Sequence, residues 1–367
     1  MRVLIAPDKF AGTLTAPEAA RAIAEGWLRC QPGDTVTLAP MADGGPGFVD
    51  VLAEALGGEI LAATVHGPLG AEVPISMLQV GETAYIESAQ ACGLDLVAKL
   101  EPLKATSRGV GDAILAALAA GCGRIVLGLG GSATNDGGAG MLGALGATAN
   151  VPLDRGPEAL TGITVCDVSV PRKLLEGVEI VMATDVDLPL LGMFGATKTF
   201  GSQKGLDDSE IMRVDGLLDS FVVAACGKVP SERKVADDKG AGAAGGLGFA
   251  LLLLGAGRVS GIDLVAEATG LAEQAAQHDL VVTGEGTFDY SSRAGKVVYG
   301  VAQAAAAGAR PCIVLAGNVS VGSREMRAMG VESAYAMVDM VGESQSLSEP
   351  HASLVGLAER VARTWSY

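Results

Sequence analysis

The chain has 367 residues and a formal net charge of −16, and 49% of its residues are hydrophobic. That length allows one large or two ordinary domains. The 52 glycines and the 4% of aromatic residues are typical of tightly packed α/β proteins rather than of disordered chains. The acidic balance argues against nucleic acid or an anionic membrane as partner, and six scattered cysteines without metal-ligand spacing indicate reduced thiols in a cytoplasmic protein.

The first elements predict a parallel sheet. Residues 2–7 form a nearly continuous apolar run, the pattern of a strand that is buried on both faces. A helix should follow, capped by Thr15 with Glu18 three residues later. A second strand at 35–40 and another apolar helix continue the alternation, which favours a doubly wound parallel sheet.

The middle of the chain has a different pattern. After about residue 58, strand-like segments follow one another with short turns, which favours antiparallel or mixed pairing. The βαβ alternation returns near residue 279. We therefore expect one α/β domain formed by residues 1–58 and 278–367, with a mixed α/β domain, 59–277, inserted into it. The apolar stretch 240–257 contains seven glycines, so it predicts a glycine-rich turn and a core helix rather than a membrane span.

The most informative stretch is 124–147, where a predicted strand runs into a glycine-dense turn and then into a small-residue helix. Backbone amides left uncovered by glycines can surround an anion, and a helix start adds a favourable dipole. A nucleotide phosphate with a divalent ion fits this pattern, and a tight turn without a ligand is the alternative. The expected phosphate donors are Gly130, Gly131, Ser132, Thr134 and Asn135.

Acidic residues follow several predicted strands. In open α/β sheets, the carboxyl ends of the strands form the ligand crevice. Magnesium prefers such carboxylates together with phosphate oxygens, although each acid could also be a helix cap or turn residue. The acids are Asp8, Asp43, Asp136, Asp185 with Asp187, and Glu285 with Asp289.

Two function classes other than phosphate and magnesium binding are compared with the sequence. The three histidines are isolated, so a Ser-His-Asp hydrolase is not indicated. The chain also has no Walker A sequence. Residues 128–133 come near a dinucleotide-binding fingerprint, which keeps a nicotinamide-dependent oxidoreductase as an alternative.

Seven segments occur in order along nearly the whole chain: APDKFAGTLTA, MADGGPG, GLGGSATNDGGAGMLGALGA, TDVDLPLLG, GATKTFGSQKG, KGAGAAGGLGFA and VTGEGTFDYSSRAGKVV. Together they resemble the bacterial glycerate kinases that form 2-phosphoglycerate. The resemblance implies ATP as donor, Mg²⁺, glycerate as acceptor, a Rossmann-like domain built from both chain ends, an inserted mixed α/β domain and an active site in the cleft.

The resemblance and the strand ends together give an expected site. We expect Mg²⁺ near Asp185, with Asp187, Glu285 and Asp136 as further candidates. The catalytic residues should be Lys9 and one of Asp8, Asp43 or Asp289 as base, the choice among the three being open. Lys9, Arg293 and Arg108 should hold the glycerate carboxylate, and Gly284 and Lys296 should join the glycine-rich loop at the nucleotide.

Some questions stay open at this point. The lysine of the family's DSFKGS motif falls on Ala11, and Lys9, two places earlier, would point to the same side of an extended segment. The residues do not distinguish phosphorylation at carbon 2 from carbon 3, or glycerate from another hydroxy acid. A non-catalytic binding relative and the oligomeric state, a homodimer included, are equally open.

Overall fold

The computed structural model describes residues 1–10, 12–293 and 296–366, with the backbone alone for Ser291 and Arg293. The chain folds into alternating strands and helices. The strands are β1 Arg2–Ile5, β2 Thr35–Leu38, β3 Glu59–His66, β4 Glu72–Val80, β5 Thr83–Glu87, β6 Arg124–Gly128, β7 Thr148–Ala149, β8 Cys166–Asp167, β9 Glu179–Ala183, β10 Gly257–Val259, β11 Leu280–Phe288, β12 Cys312–Val319 and β13 Ser333–Ala336.

The helices lie between these strands and after the last one. The longest is α8, with 19 residues. The helices are α1 Ala16–Cys30, α2 Phe48–Leu56, α3 Ser88–Cys92, α4 Arg108–Ala119, α5 Ala139–Ala144, α6 Ser169–Leu174, α7 Ala196–Phe200, α8 Asp208–Cys226, α9 Leu247–Leu253, α10 Gly261–Ala268, α11 Leu271–Gln277, α12 Val297–Ala307, α13 Ser323–Ala328, α14 Met337–Val341, α15 Glu343–Ser348 and α16 Pro350–Trp365.

Two compact units divide the chain. The first, here called the terminal unit, comprises residues 1–43, 50–57 and 261–367, and the second, the inserted unit, comprises 44–49 and 58–260. The expected domain limits assign 261–277 to the inserted part, whereas α10 and α11, which span this stretch, pack with α12 and, for α11, with β1. These packing contacts place the two short helices with the terminal unit.

The terminal unit contains a five-stranded, all-parallel sheet in the order β13-β12-β11-β1-β2. In chain order within the unit this is 2-1-3-4-5, one of the two common doubly wound arrangements. Val3 of β1 pairs with Leu280 on one side and Val36 on the other. The strand is buried on both faces, as the apolar run predicts.

Helices α1 and α16 cover one face of this sheet, and their contact is close. A β-carbon on Gly26 would lie 2.1 Å from the carbonyl oxygen of Val355, so only glycine permits this approach. The predicted capping box is present: Thr15 Oγ1 accepts from the Glu18 amide, and Glu18 accepts from the Thr15 amide at 2.9 Å.

The inserted unit contains a six-stranded mixed sheet in the order β10-β9-β6-β5-β4-β3. Strands β10, β9, β6 and β5 are parallel to their neighbours in that series, and β4 runs antiparallel to both β5 and β3. On one side, Phe221 of α8 meets Phe249 of α9 edge to face, with 6.0 Å between ring centroids. The stretch 240–257 forms a buried turn and α9, as expected, and no helix in the described ranges has the length and apolarity to cross a bilayer.

Candidate active site

A crevice opens in the terminal unit at the carboxyl ends of β1 and β11, which is the point where the winding of the sheet reverses. Ligands bind at such switch points in open α/β sheets. Its volume is about 390 Å³. The charged lining residues are Asp8, Lys9, Asp43, Glu285, Asp289 and Lys296.

Asp8 reaches this crevice because the chain continues the ladder beyond β1. The Asp8 amide donates to Gly284 of β11 at 2.8 Å. On the other side, the Ala39 and Met41 amides donate to Ile5 and Pro7. The segments that precede Asp8 and Asp43 therefore run side by side, and both carboxylates enter the same crevice.

Lys9 lies between these two acids. Its Nζ is 3.6 Å from Asp8 Oδ1 and 3.7 Å from Asp43 Oδ1. Burial raises the pKa of Asp8 to about 6, against the opposing charge of Lys9, and Asp43 raises it further. The terminal unit contains two lysines, Lys9 and Lys296, and both line the crevice. These two ammonium groups could attract an anionic ligand to the crevice.

Glu285 is the second buried carboxylate of the crevice. Burial raises its pKa to about 7, and the Asp8 and Asp289 carboxylates add to the rise, whereas Ser292 and Lys296 oppose it. The Ser292 hydroxyl donates to Glu285 Oε1 at 2.5 Å and accepts from the Asp289 amide at 3.2 Å. Two carboxyl groups with pKa values near neutrality can exchange protons at ordinary pH.

The glycine-rich loop of the inserted unit follows β6. Its Gly130 and Gly131 are accessible, but residues 132–140 are buried. The Leu94 amide donates to Gly131, and the Ala133 amide donates to Cys92, so the loop packs against residues 92–94. In the described part of the chain, the amides of Gly130, Gly131 and Ser132 donate to no other group.

The chain is similar to known proteins along nearly its whole length. The family model described as "Glycerate kinase family" matches residues 3–366. Glycerate kinase from Bacillus subtilis is 42% identical, covering 92% of this chain and 90% of its own. Glycerate 2-kinase from Escherichia coli is 40% identical, covering 93% and 92%. The chain belongs to the glycerate kinase family.

A solved structure agrees with that assignment. The crystal structure of a protein from Salmonella typhimurium LT2, described as glycerate kinase 2, has a TM-score of 0.79 and 36% identity, with 99% of this chain and 98% of that chain covered. The expected two-domain α/β fold is thereby confirmed, as is the expectation of an enzyme of the glycerate kinase class. In this family the chain acts on a small molecule and uses a nucleotide.

Asp136, an expected metal ligand, has a different environment from the crevice acids. It is fully buried, and its Oδ2 accepts from the Ser107 amide and the Ser107 hydroxyl, both at 2.8 Å, and from the Gly140 amide at 3.2 Å. Its Oδ1 accepts from the Gly138 amide. Burial raises its pKa, and these hydrogen bonds oppose the rise. The side chain thus joins the loop to the starts of α4 and α5.

Asp187, another expected ligand, lies on an exposed segment and forms ion pairs. Lys239 Nζ is 3.0 Å and Arg258 Nη2 is 2.5 Å from its carboxylate oxygens. The pair with Lys239 and the charge of Arg258 lower its pKa. A metal would have to displace both cations. The neighbouring Asp185 is half-buried.

The remaining expected residues are distributed over both units. Arg108 lines a separate cavity within the inserted unit, where its Nη1 lies 2.8 Å from Asp154. Gly284 lies within β11, where a β-carbon would come 2.1 Å from the Leu315 carbonyl oxygen; close strand packing explains the glycine. The Arg293 side chain and Ala11 lie outside the described parts of the chain.

Thr134 and Asn135, expected at the nucleotide, are buried beneath the loop surface. Asn135 Nδ2 donates to Thr197 Oγ1 at 2.9 Å. Lys204 donates to the Thr134 carbonyl. Their side-chain oxygens Thr134 Oγ1 and Asn135 Oδ1 accept no hydrogen bond from described groups. As placed here, they support the loop from behind, and the accessible part is Gly130–Gly131 with the edge of Ser132.

Sequence reasoning missed two residues that shape these sites. Ser292 has no pattern that would distinguish it from neighbouring serines. Glu87 directly ends β5, the same strand-end signal that identified the other acids, and its Oε2 accepts the Gly47 amide at 2.9 Å. It thereby fixes the segment that packs over Gly130, where a β-carbon would lie 2.7 Å from Gly45 Cα.

Two absent ligands can be tested against these environments. No three His, Cys, Asp or Glu side chains within the described ranges form a preformed metal cage. Magnesium in kinases needs only one or two carboxylates, with water and phosphate completing its shell. The crevice acids, which raise one another's pKa, fit such a cation. The free amides at Gly130–Ser132 fit phosphate oxygens. The dinucleotide fingerprint fits poorly, because α5 begins only at Ala139.

Proposed function

We propose that this chain transfers the γ-phosphoryl group of ATP to glycerate and forms 2-phosphoglycerate. The observation that carries the proposal is the crevice at the switch point of the terminal sheet, where two buried acids of raised pKa lie beside two lysines, in a chain of the glycerate kinase family. The curated relative described as glycerate 2-kinase supports the choice of carbon 2.

In this proposal the glycerate carboxylate binds to Lys9, which is held between Asp8 and Asp43. Asp8 takes the proton from the attacking hydroxyl. A carboxylate with a pKa of about 6 is a stronger base than an ordinary aspartate, and it is still mostly ionised at pH 7. Asp43 and Asp289 remain the other candidates for this base. If one of them is the base, its substitution should lower turnover.

Within the inserted unit, the nucleotide phosphates are assigned to the amides of Gly130, Gly131 and Ser132. Within the terminal unit, Lys296 is assigned as a positive group of the crevice. Mg²⁺ would be held by Glu285, where it would supply positive charge for a phosphate group. Asp185 stays a further candidate ligand. We leave Asp136 and Asp187 out of the ligand set, because their oxygens are already used in the contacts described above.

Location in the cytoplasm belongs to the same proposal. All six cysteines are free thiols, and burial raises the pKa of Cys92 and of Cys312 to about 12. Thiols of this kind are inert and suit a reducing compartment.

The test is an ADP-release assay with ATP, Mg²⁺ and a panel of small hydroxy acids, followed by ³¹P and ¹³C NMR of the product. The proposal expects turnover with glycerate and a phosphate on carbon 2. A phosphate on carbon 3 would refute the regiochemistry. Tight binding of ATP and glycerate without ADP release would favour a non-catalytic relative, and NAD-dependent oxidation would favour the oxidoreductase alternative.

A further inference from the structure

Lys204 is buried, with 3% of its surface exposed, which is rare for a lysine. It lies just after α7, and its Nζ donates to Ser132 Oγ at 3.0 Å and to the Thr134 carbonyl at 2.6 Å. Burial lowers its pKa to about 8, although Cys92 and Asp136 oppose the change. The side chain is therefore largely protonated at pH 7.

These contacts determine which way the Ser132 hydroxyl points. An ammonium group can only donate hydrogen bonds, so Ser132 Oγ must accept from Lys204. The serine's own proton must then be directed elsewhere. No acceptor for it lies among the described groups.

Ser132 is located where its hydroxyl could add a hydrogen-bond donor to the glycine-rich loop. It directly follows accessible Gly131, 5% of its own surface is exposed, and its amide is one of three consecutive amides without an acceptor in the described part of the chain. A hydroxyl with a free proton extends this row of donors. Charge on a partner strengthens such a hydrogen bond, as does the low dielectric of a buried network.

We propose that Lys204 is a positioning residue that orients the Ser132 hydroxyl as a hydrogen-bond donor to a phosphate oxygen of the bound nucleotide. The inference rests on the proposed assignment of the nucleotide phosphates to this loop. Lys204 itself does not touch the nucleotide; it acts through Ser132 and through the Thr134 carbonyl.

The experiment measures ATP affinity by isothermal titration calorimetry, separately from glycerate turnover, for Lys204→Met, Ser132→Ala and the double variant. Each single change should weaken ATP binding roughly tenfold or more, the size of a lost hydrogen bond to a charged group. The double variant should be no weaker than Lys204→Met, because both changes remove the same donor. In turnover, KM for ATP should rise much more than kcat falls.

The matched control is Lys198→Met. Lys198 is half-buried in α7 of the same segment and pairs with Asp215 at 3.4 Å, so this change removes a structural ion pair close by in sequence. It should leave the ATP affinity within about twofold. An equal loss in the control would reduce Lys204 to a general structural role and overturn the inference.

Other outcomes are equally decisive. Additive losses in the double variant would show that Lys204 does not act through Ser132. If Lys204→Met does not fold, Ser132→Ala decides alone, and unchanged ATP affinity in that variant refutes the inference. Failure of the proposed function can be distinguished from failure of this inference. If the proposed function is wrong, the wild-type protein will lack glycerate turnover, whereas the ATP affinities of the variants still test the role of Lys204 in the loop.

Discussion

The replacement Lys9→Met should shift the pH dependence of turnover in a defined direction. Lys9 Nζ lies 3.6 Å from Asp8 Oδ1, and its charge opposes the burial that raises the pKa of Asp8 to about 6. Two unit charges about 4 Å apart interact by about 1 kcal/mol in water and about 4 kcal/mol near a protein surface. The lysine is partly exposed, so we take a value of about 1–2 kcal/mol within that range.

An energy of this size corresponds to a rise of about one in the pKa of Asp8, from about 6 to about 7. Protonated Asp8 cannot act as a base, so activity is lost as pH falls through its pKa. At pH 5.5 the variant should retain roughly a tenth of the wild-type kcat/KM once each profile is scaled to its alkaline plateau. Near pH 8.5 the scaled values should coincide.

The assay is kcat/KM for glycerate between pH 5 and 9 at saturating ATP and Mg²⁺. Lys9 is also assigned to the glycerate carboxylate, so the plateau itself should fall, and the informative quantity is the midpoint of the acid limb. Lys173→Met, which changes an exposed lysine of α6, should leave both unchanged. An acid limb that stays near pH 6 in Lys9→Met, or moves to lower pH, would refute the assignment of Asp8 as the titrating base.

Three further predictions concern Asp136, Asp187 and Ser292. Asp136→Asn should lower the free energy of unfolding by roughly 3 kcal/mol and the melting temperature by about 5–10 °C in calorimetry. The reason is that the hydrogen-bond donors around the carboxylate would face the NH₂ group of a neutral side-chain amide. An unchanged melting temperature would contradict the structural role of Asp136. Asp187→Asn loses only exposed ion pairs, so the stability of the variant should change by less than about 1 kcal/mol. The Mg²⁺ dependence of its turnover should match that of the wild type. A large rise in the Mg²⁺ concentration it requires would show that Asp187 is a metal ligand. Ser292→Ala removes a donor to Glu285, so the pKa of Glu285 should rise above about 7, measurable as a higher carboxyl midpoint by ¹³C NMR; a lower midpoint would be inconsistent with the observed hydrogen bond.

The strands and helices of the terminal unit, and the parallel pairing of its sheet, follow from signals that are local in sequence. The apolar run of β1, the capping box of α1 and the return of βαβ alternation near 279 each report on adjacent residues. Parallel pairing then brings the strand ends to one edge, and that is why Asp8, Asp43 and Glu285 share a crevice. Its position at a strand end could likewise have identified Glu87, which ends β5 in the inserted sheet.

The environments of Asp136, Asp187 and Lys204 were not accessible in this way. In a glycine-rich loop, the sequence around an aspartate is the same whether its carboxylate binds a metal or accepts hydrogen bonds from backbone amides, as the carboxylate of Asp136 does. Asp187 is paired with residues 52 and 71 positions away in sequence. The burial of Lys204 likewise depends on long-range packing, which no local pattern reports.

The most direct test of the central claim is the turnover of Asp8→Asn. The substitution keeps the shape of the side chain but removes the base. kcat for glycerate phosphorylation should fall by about 10²–10⁴, while glycerate and ATP still bind and the protein keeps its fold by circular dichroism. A variant that retains kcat within a few-fold of wild type across pH 6–8 would contradict the account and move the base to Asp43 or Asp289.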